Sequence, residues 1–173
     1  MVATATDHSN AIGTLAPVDS PTGRTTVNAA FLQEIKDDNL RLKDLLDSTR
    51  ALMGHTEIIR NHFSELCVLM DDLSDQLAMH FSLEEAFGYF EDAIDASPHL
   101  SVAAINLRNE HCGLFVMARD LADTMAELDP QNEEHMRRIG DAFQQFDGDL
   151  KRHEAEELKL ILSAMDDDLG VGD

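Results

Sequence analysis

Apolar residues recur at alternating steps of three and four along four stretches of the chain, the spacing that places them on one face of an α-helix. The stripe in the last stretch consists of Met136, Ile139, Phe143, Phe146, Leu150, His153, Glu157 and Leu160. The third consists of Ala104, Leu107, His111, Leu114, Ala118, Leu121, Met125 and Leu128. The second consists of Leu66, Met70, Leu73, Leu77, His80, Glu84 and Phe87, and the first of Leu32, Ile35, Asn39, Leu42, Leu46, Thr49 and Met53. The pattern predicts four amphipathic helices.

Turn-forming residues separate the four stretches and set their expected bounds. We expect helices over Val27 to Met53, Thr56 to Ala96 with a kink or a detached first turn, Ser101 to Leu128, and from an Asp129-Pro130 cap to Met165. Short connections between long helices make neighbours antiparallel, so the predicted fold class is all-α, an up-down-up-down antiparallel four-helix bundle. The predicted organisation is a flexible N-terminal tail (1–26), the bundle (27–166) and an acidic C-terminal tail (167–173).

The charge of the chain narrows its expected partners. It has 34 acidic and 13 basic residues in 173, a formal net charge of −21. Such a surface repels nucleic acids and anionic lipids, so we expect no nucleic-acid and no membrane partner. The sequence also lacks a basic start followed by an apolar run, and any apolar segment of about 20 residues. We therefore expect a cytoplasmic protein, whose oligomeric state the sequence leaves open.

A polar residue interrupts each apolar stripe well inside its helix. Three of the interruptions are histidines, the fourth is Asn39, and two of the histidines are followed four residues later by an inward glutamate. The candidate metal ligands are His80, Glu84, His111, His153 and Glu157. Residues four apart lie one turn along the same face, so each His/Glu pair can converge on one centre. A buried carboxylate needs a partner, and no Lys or Arg shares these stripes, which predicts a cation site.

This pattern resembles the hemerythrin-like, or HHE cation-binding, domain, which has a histidine on its first and third helices and H-x-x-x-E on its second and fourth. The matching segments are His80-Phe-Ser-Leu-Glu84, Asn-Glu-His111 and His153-Glu-Ala-Glu-Glu157, within residues 28–165. The resemblance implies a non-haem di-iron or single-iron site, with Glu84 and Glu157 as bridging carboxylates and the three histidines as terminal ligands. The donor types themselves suit Fe, Mn or Zn, so the choice of iron rests on the resemblance.

Two positions depart from the family's pattern. Asn39, in Lys-Asp-Asp-Asn-Leu-Arg, stands where the first-helix histidine of the family falls. A metal on that side is then weakly held, absent, or completed by Asp38 or Glu34, although we expect both carboxylates to be exposed to solvent. Phe115 stands where the oxygen-carrying hemerythrins have a further histidine, which argues against a simple O2 carrier.

The resemblance implies a binding protein, not an enzyme acting on an organic substrate. We expect the His/Glu site to bind iron and, through it, to bind or sense O2, a related diatomic or iron itself. The alternatives are a di-iron oxidase or peroxidase-like enzyme at the same site, and a helical interaction module whose metal site decayed with the loss of the first-helix histidine. A ferritin-type site is excluded, because none of the eight histidines has a glutamate three positions before it.

Overall fold

A computed structural model describes residues 29–86 and 98–170 of the chain, and all regular secondary structure in these residues is helical. The helices are α1 (Ala29–Leu52), α2 (Thr56–Asn61), α3 (Phe63–Ala86), a 3-10 turn (Pro98–Leu100), α4 (Ser101–Glu127) and α5 (Glu133–Gly170). The predicted all-α class is thus confirmed for the described residues. The predicted N-terminal tail, Phe87 and the expected end of the second helix near Ala96 lie outside them.

The second predicted helix is divided close to its start. At His62 the backbone leaves the helical region, with φ −112° and ψ 19°, so the six residues of α2 form a separate element before α3. The detached first turn expected from the length of this stretch is therefore present. None of the described helices combines the length and apolar character that crossing a membrane requires.

The last helix begins and ends later than the sequence indicated. The Asp129 carboxylate accepts a hydrogen bond from the backbone N–H of Gln131 at 2.9 Å and so closes a turn, without capping the helix. Asn132 is the cap, because its side-chain oxygen accepts a hydrogen bond from the backbone N–H of Glu134 at 3.0 Å. The helix then continues to Gly170, past the expected end at Met165. The domain limits themselves stay a prediction.

The four long helices bury their apolar stripes against one another. α1 packs on α3, α3 on α4 and α4 on α5, while the short α2 lies against α5. The predicted stripes of α4 and α5 are buried almost throughout, as Ala104, Leu107, His111, Leu114, Ala118, Leu121, Met125, Met136, Ile139, Phe143, Phe146, Leu150, His153 and Leu160. On α1 the stripe instead passes through Asp38, which is buried, while Asn39 is exposed.

The polar layer lies between two apolar clusters. The larger cluster fills most of the interior and reaches Phe81, Leu114 and Leu150 on one side of the histidines. The smaller cluster, formed by Ala104, Leu107, Leu160 and Ala164, lies on the other side, between α4 and α5. The histidines and glutamates are therefore held in a layer that is largely shielded from water.

Candidate metal centre

Four of the five predicted ligands meet at one point between α3, α4 and α5. One side-chain donor atom from each of Glu84, His111, His153 and Glu157 lies within 4.8 Å of all the others. Nitrogen and oxygen ligands bind a transition metal at about 2.0–2.2 Å, so two donors of one tetrahedral ion are about 3.4 Å apart. The four atoms would therefore fit around a single ion if the widest separations among them, up to 4.8 Å, contracted by up to about 1.4 Å.

The contacts within this group are between ring nitrogens and carboxylate oxygens. His153 Nε2 lies 3.2 Å from Glu157 Oε1. His111 Nε2 lies between the two glutamates, 3.4 Å from Glu84 Oε2 and 3.6 Å from Glu157 Oε1. The fifth predicted ligand, His80, joins from one side, with its Nε2 3.0 Å from Glu84 Oε1. His80 is thus a neighbour of the four-atom cluster and contacts it through Glu84.

Each of the three histidines is held at its other ring nitrogen by a carboxylate from the preceding long helix. His80 Nδ1 donates to Asp38 of α1 at 2.8 Å. The corresponding distances are 3.1 Å from His111 Nδ1 to Glu85 of α3, and 3.2 Å from His153 Nδ1 to Glu110 of α4. An acceptor at Nδ1 places the ring proton there, so the lone pair of the neutral ring is on Nε2, which faces Glu84 and Glu157.

The cluster is buried, and its inner atoms are poorly satisfied. The side chains of His111 and His153 are only 3% and 1% exposed, and those of Glu84 and Glu157 13% and 14%. Glu84 Oε2, His153 Nε2 and Glu157 Oε1 are inaccessible to solvent and are not aligned for a hydrogen bond with any described residue. Buried polar atoms without hydrogen bonds are costly, and three of them converging on one point are typical of the ligand atoms of a metal site.

Without a metal, the same groups act as ion pairs. Burial on its own would lower the pKa of His80, but the interactions with Glu84 and Asp38 outweigh it and raise that pKa to about 9. Burial likewise acts to lower the pKa of His153, and Glu157 and Glu110 more than reverse it. At Glu157 burial would raise the pKa, but the His111 and His153 rings lower it to about 2. A cation must therefore displace protons from this site in order to bind.

An aromatic ring closes one side of the cluster, and a cavity opens on another. Phe81 stacks on the His111 ring with a centroid distance of 4.3 Å and an interplanar angle of 8°. It also meets His153 edge-on at 6.0 Å. The cavity, of about 220 Å³, is lined by Asp38, Asn39, His80, Leu83, Glu84, Glu154 and Glu157. Phe81 thus covers the site at His111 and His153, while the cavity approaches it at His80 and the two glutamates.

The structure also corrects the sequence analysis on the first helix. Asn39 was placed on the inward stripe, but its side chain is exposed and reaches only the cavity. Asp38 was expected in solvent, yet its side chain is 5% exposed and also accepts a hydrogen bond from Gln76. The other alternative, Glu34, lies among residues whose side chains are not described.

The carboxylates that hold the other two histidines were also missed, although both stand next to predicted ligands. Glu85 follows Glu84, and Glu110 precedes His111. Successive residues of a helix are rotated by about 100° about its axis, so these two carboxylates reach the histidine of an adjacent helix and not the centre.

Comparison of the chain with protein-family models, with curated proteins and with solved structures gives no match.

Proposed function

We propose that this protein binds one transition-metal ion, iron in preference to manganese or zinc, through Glu84, His111, His153 and Glu157. The arrangement of the histidine rings carries the proposal: a carboxylate fixes each Nδ1, and each Nε2 is directed at Glu84, at Glu157 or at both. Histidines that ligate metals in proteins are oriented in this way by an outer carboxylate. Two imidazoles and two carboxylates suit Fe, Mn and Zn, and iron is chosen from the hemerythrin-like resemblance.

The proposal includes the finer architecture, an up-down-up-down four-helix bundle of hemerythrin-like type. Two sets of contacts support it. Between α3 and α4, His111 meets Glu85 while Arg119 meets Asp71, so residue numbers rise along one helix as they fall along the other. Between α1 and α5, Arg50 pairs with Asp147, whereas the residues around Asp38 share a cavity with Glu154 and Glu157. Both trends are those of antiparallel neighbours.

The role proposed for the site is to bind or sense O2, a related diatomic or iron itself. A bound iron would supply a redox-active centre with affinity for such ligands. The protein supplies a shielded layer between two apolar clusters and a cavity of about 220 Å³, large enough for a diatomic and small for most organic substrates. The predicted cytoplasmic location and the predicted lack of nucleic-acid and membrane partners remain predictions.

Metal stoichiometry tests the proposal directly. The chelator-treated protein should take up about one Fe²⁺ per chain under anaerobic dialysis, because the four donor atoms fit one ion. His153→Ala and Glu157→Gln should each reduce the uptake at least tenfold, since the first removes a nitrogen donor and the second replaces a charged carboxylate by a neutral amide. Uptake is measured by elemental analysis, and circular dichroism confirms that the variants stay helical.

A histidine outside the site provides the control. His62 is exposed and hydrogen-bonds to Glu65, far along the chain from the polar layer. His62→Ala should therefore bind as much Fe²⁺ as the unchanged protein. Less than about 0.2 Fe²⁺ per chain in the unchanged protein, or uptake that falls equally in His62→Ala and His153→Ala, would contradict the proposal.

A further inference from the structure

The site is built from two similar helix pairs that differ at one position. In the pair α4/α5, Glu110 holds His153, and the next residue, His111, points to the centre. In the pair α1/α3, Asp38 holds His80 in the same way, and the next residue is Asn39. The pair α4/α5 thus places an imidazole beside the glutamates, whereas the pair α1/α3 has a short amide at the equivalent position.

The cavity beside Asn39 leads from the surface to two of the ligand residues. Its lining includes exposed residues, Asn39 of α1 and Glu154 of α5, and mostly buried ones, Glu84 and Glu157. These two glutamates provide two of the four donor atoms of the metal centre, and their inner oxygens, Glu84 Oε2 and Glu157 Oε1, are themselves inaccessible to solvent. The cavity therefore approaches the ligand set from its carboxylate side.

Elsewhere in the described part of the chain, the ligand rings are covered. The rings of His111 and His153 are almost inaccessible, and Phe81 lies flat on the first of them. A second cavity of about 280 Å³ lies between α4 and α5, lined by Glu110 and Glu156 among others. It reaches the residue that holds His153 at Nδ1 but none of the four ligands. Among the cavities found around the described residues, the one at Asn39 thus has the access that a cation needs.

The charge of the lining determines what can pass. Asp38, Glu84, Glu154 and Glu157 contribute four carboxyl groups, and His80 is the one basic side chain among the described residues that line the cavity. Glu154 makes no close ion pair with the described residues, although Arg50 and His80 act on it at longer range, whereas Glu110, on the far side, is 3.9 Å from Arg152. Clefts in which one sign of charge predominates concentrate counter-ions and speed their association.

We propose that the cavity between α1 and α5 is the entry passage for a divalent cation, with Glu154 at its mouth and Asn39 as the small side chain that keeps it open. The inference rests on the proposed metal site but concerns the rate of loading, which the ligands alone do not fix. An anion or a bulky ligand is excluded by the charge and by the size of the passage.

Stopped-flow mixing with Co²⁺, which gains visible absorption in nitrogen and oxygen sites, tests the passage. Glu154→Gln should lower the association rate about three- to tenfold at low salt. The difference should shrink in 0.5 M salt, where charges are screened over a few ångströms. The amount of Co²⁺ bound at saturation should not change. Asn39→Leu, which narrows the passage sterically, should slow loading at both salt concentrations.

Glu156→Gln is the matched control, because it removes the same charge from the same helix but lines the cavity that reaches no ligand. It should load at the rate of the unchanged protein. Equal rates for Glu154→Gln and Glu156→Gln, or an Asn39→Leu rate equal to that of the unchanged protein, would overturn the passage. If the unchanged protein binds no Co²⁺ at any concentration, the metal site itself fails, which is a separate result.

Discussion

The three carboxylates that hold the histidines differ greatly in burial. The side chain of Asp38 is 5% exposed and is fixed by Gln76 as well as by His80. Glu85 and Glu110 are 39% and 40% exposed and have Arg108 and Arg152 nearby. Water competes with an exposed hydrogen bond and screens its charge, so the buried carboxylate contributes most to fixing its histidine.

Asp38→Asn should weaken metal binding about tenfold, the lower end of what loss of an outer-shell partner costs. The amide keeps the size of the side chain but removes the charge that orients His80, and through it Glu84. Isothermal titration with Mn²⁺ or Co²⁺ measures the change in affinity. Asp44→Asn, which removes one exposed charge from the same helix, should leave the affinity unchanged. A tenfold loss in both variants would mean that net charge, and not orientation, is responsible.

Asp38 also shows that the sequence alone could not decide which of two adjacent residues faces the core. The step from Leu42 back to Asp38 is four residues and the step to Asn39 is three, and both steps occur in helical stripes. The resemblance favoured Asn39, because it fills the place of a family histidine. The choice between them depends on how α1 is rotated about its axis, which contacts with Gln76 and His80 fix.

At the scale of the helices, periodicity predicted most of the fold. The stripes of α4 and α5 are long, strongly apolar and interrupted only by the proposed ligands, so burial follows them closely. The start of α5 was misplaced, because Asp129-Pro130 and Asn132 are both good cap sequences and only the hydrogen bonds distinguish them. Local chemistry thus identified the elements, while their ends and rotations depended on tertiary contacts.

The similarity of the helix pairs α1/α3 and α4/α5 predicts what happens when α1/α3 is given the histidine that α4/α5 has. Asn39→His would place an imidazole beside Glu84 and Glu157, as His111 does from the other pair. Together with His80 it would form a second nitrogen and oxygen donor set, so Fe²⁺ uptake should rise from about one towards two ions per chain. Elemental analysis measures this, with Asn39→Gln as the control that adds length without an imidazole. An unchanged stoichiometry would mean that the side chain at position 39 does not reach the ligand set.

At the scale of the whole molecule, the His/Glu layer adds buried negative charge to a protein that is already strongly acidic. With a formal charge of −21, the folded chain repels itself, and a cation that binds only the folded state counters this. The metal-free protein instead relies on the protonated His80 ring next to Glu84 and Asp38, while the contact between His153 and Glu157 raises the pKa of that histidine. Under the proposed function, protons and metal therefore compete for the same layer.

The pH dependence of stability follows from two pKa values. In the metal-free protein, the pKa of His80 is raised to about 9 from 6.5, so its contribution is complete below pH 6.5 and is lost as the pH rises towards 9. The pKa of Glu157 is lowered to about 2 from 4.5, so its contribution is complete above pH 4.5 and is lost as the pH falls towards 2. The metal-free protein should therefore be most stable between about pH 4.5 and 6.5.

Loading with metal should flatten the alkaline half of this profile. Between pH 6.5 and 8.5 the metal-free protein should lose on the order of 2 kcal/mol of unfolding free energy, because the unfolded chain gives up the His80 proton in this range while the folded chain still holds it. A cation held by Glu84 competes with the proton on His80, so in the loaded protein this contribution should be small and the stability should change little over the same range. Urea unfolding with and without Co²⁺ measures both slopes. In metal-free His80→Gln the loss should largely disappear, and an equal loss in this variant would show that the pH dependence arises elsewhere in the chain.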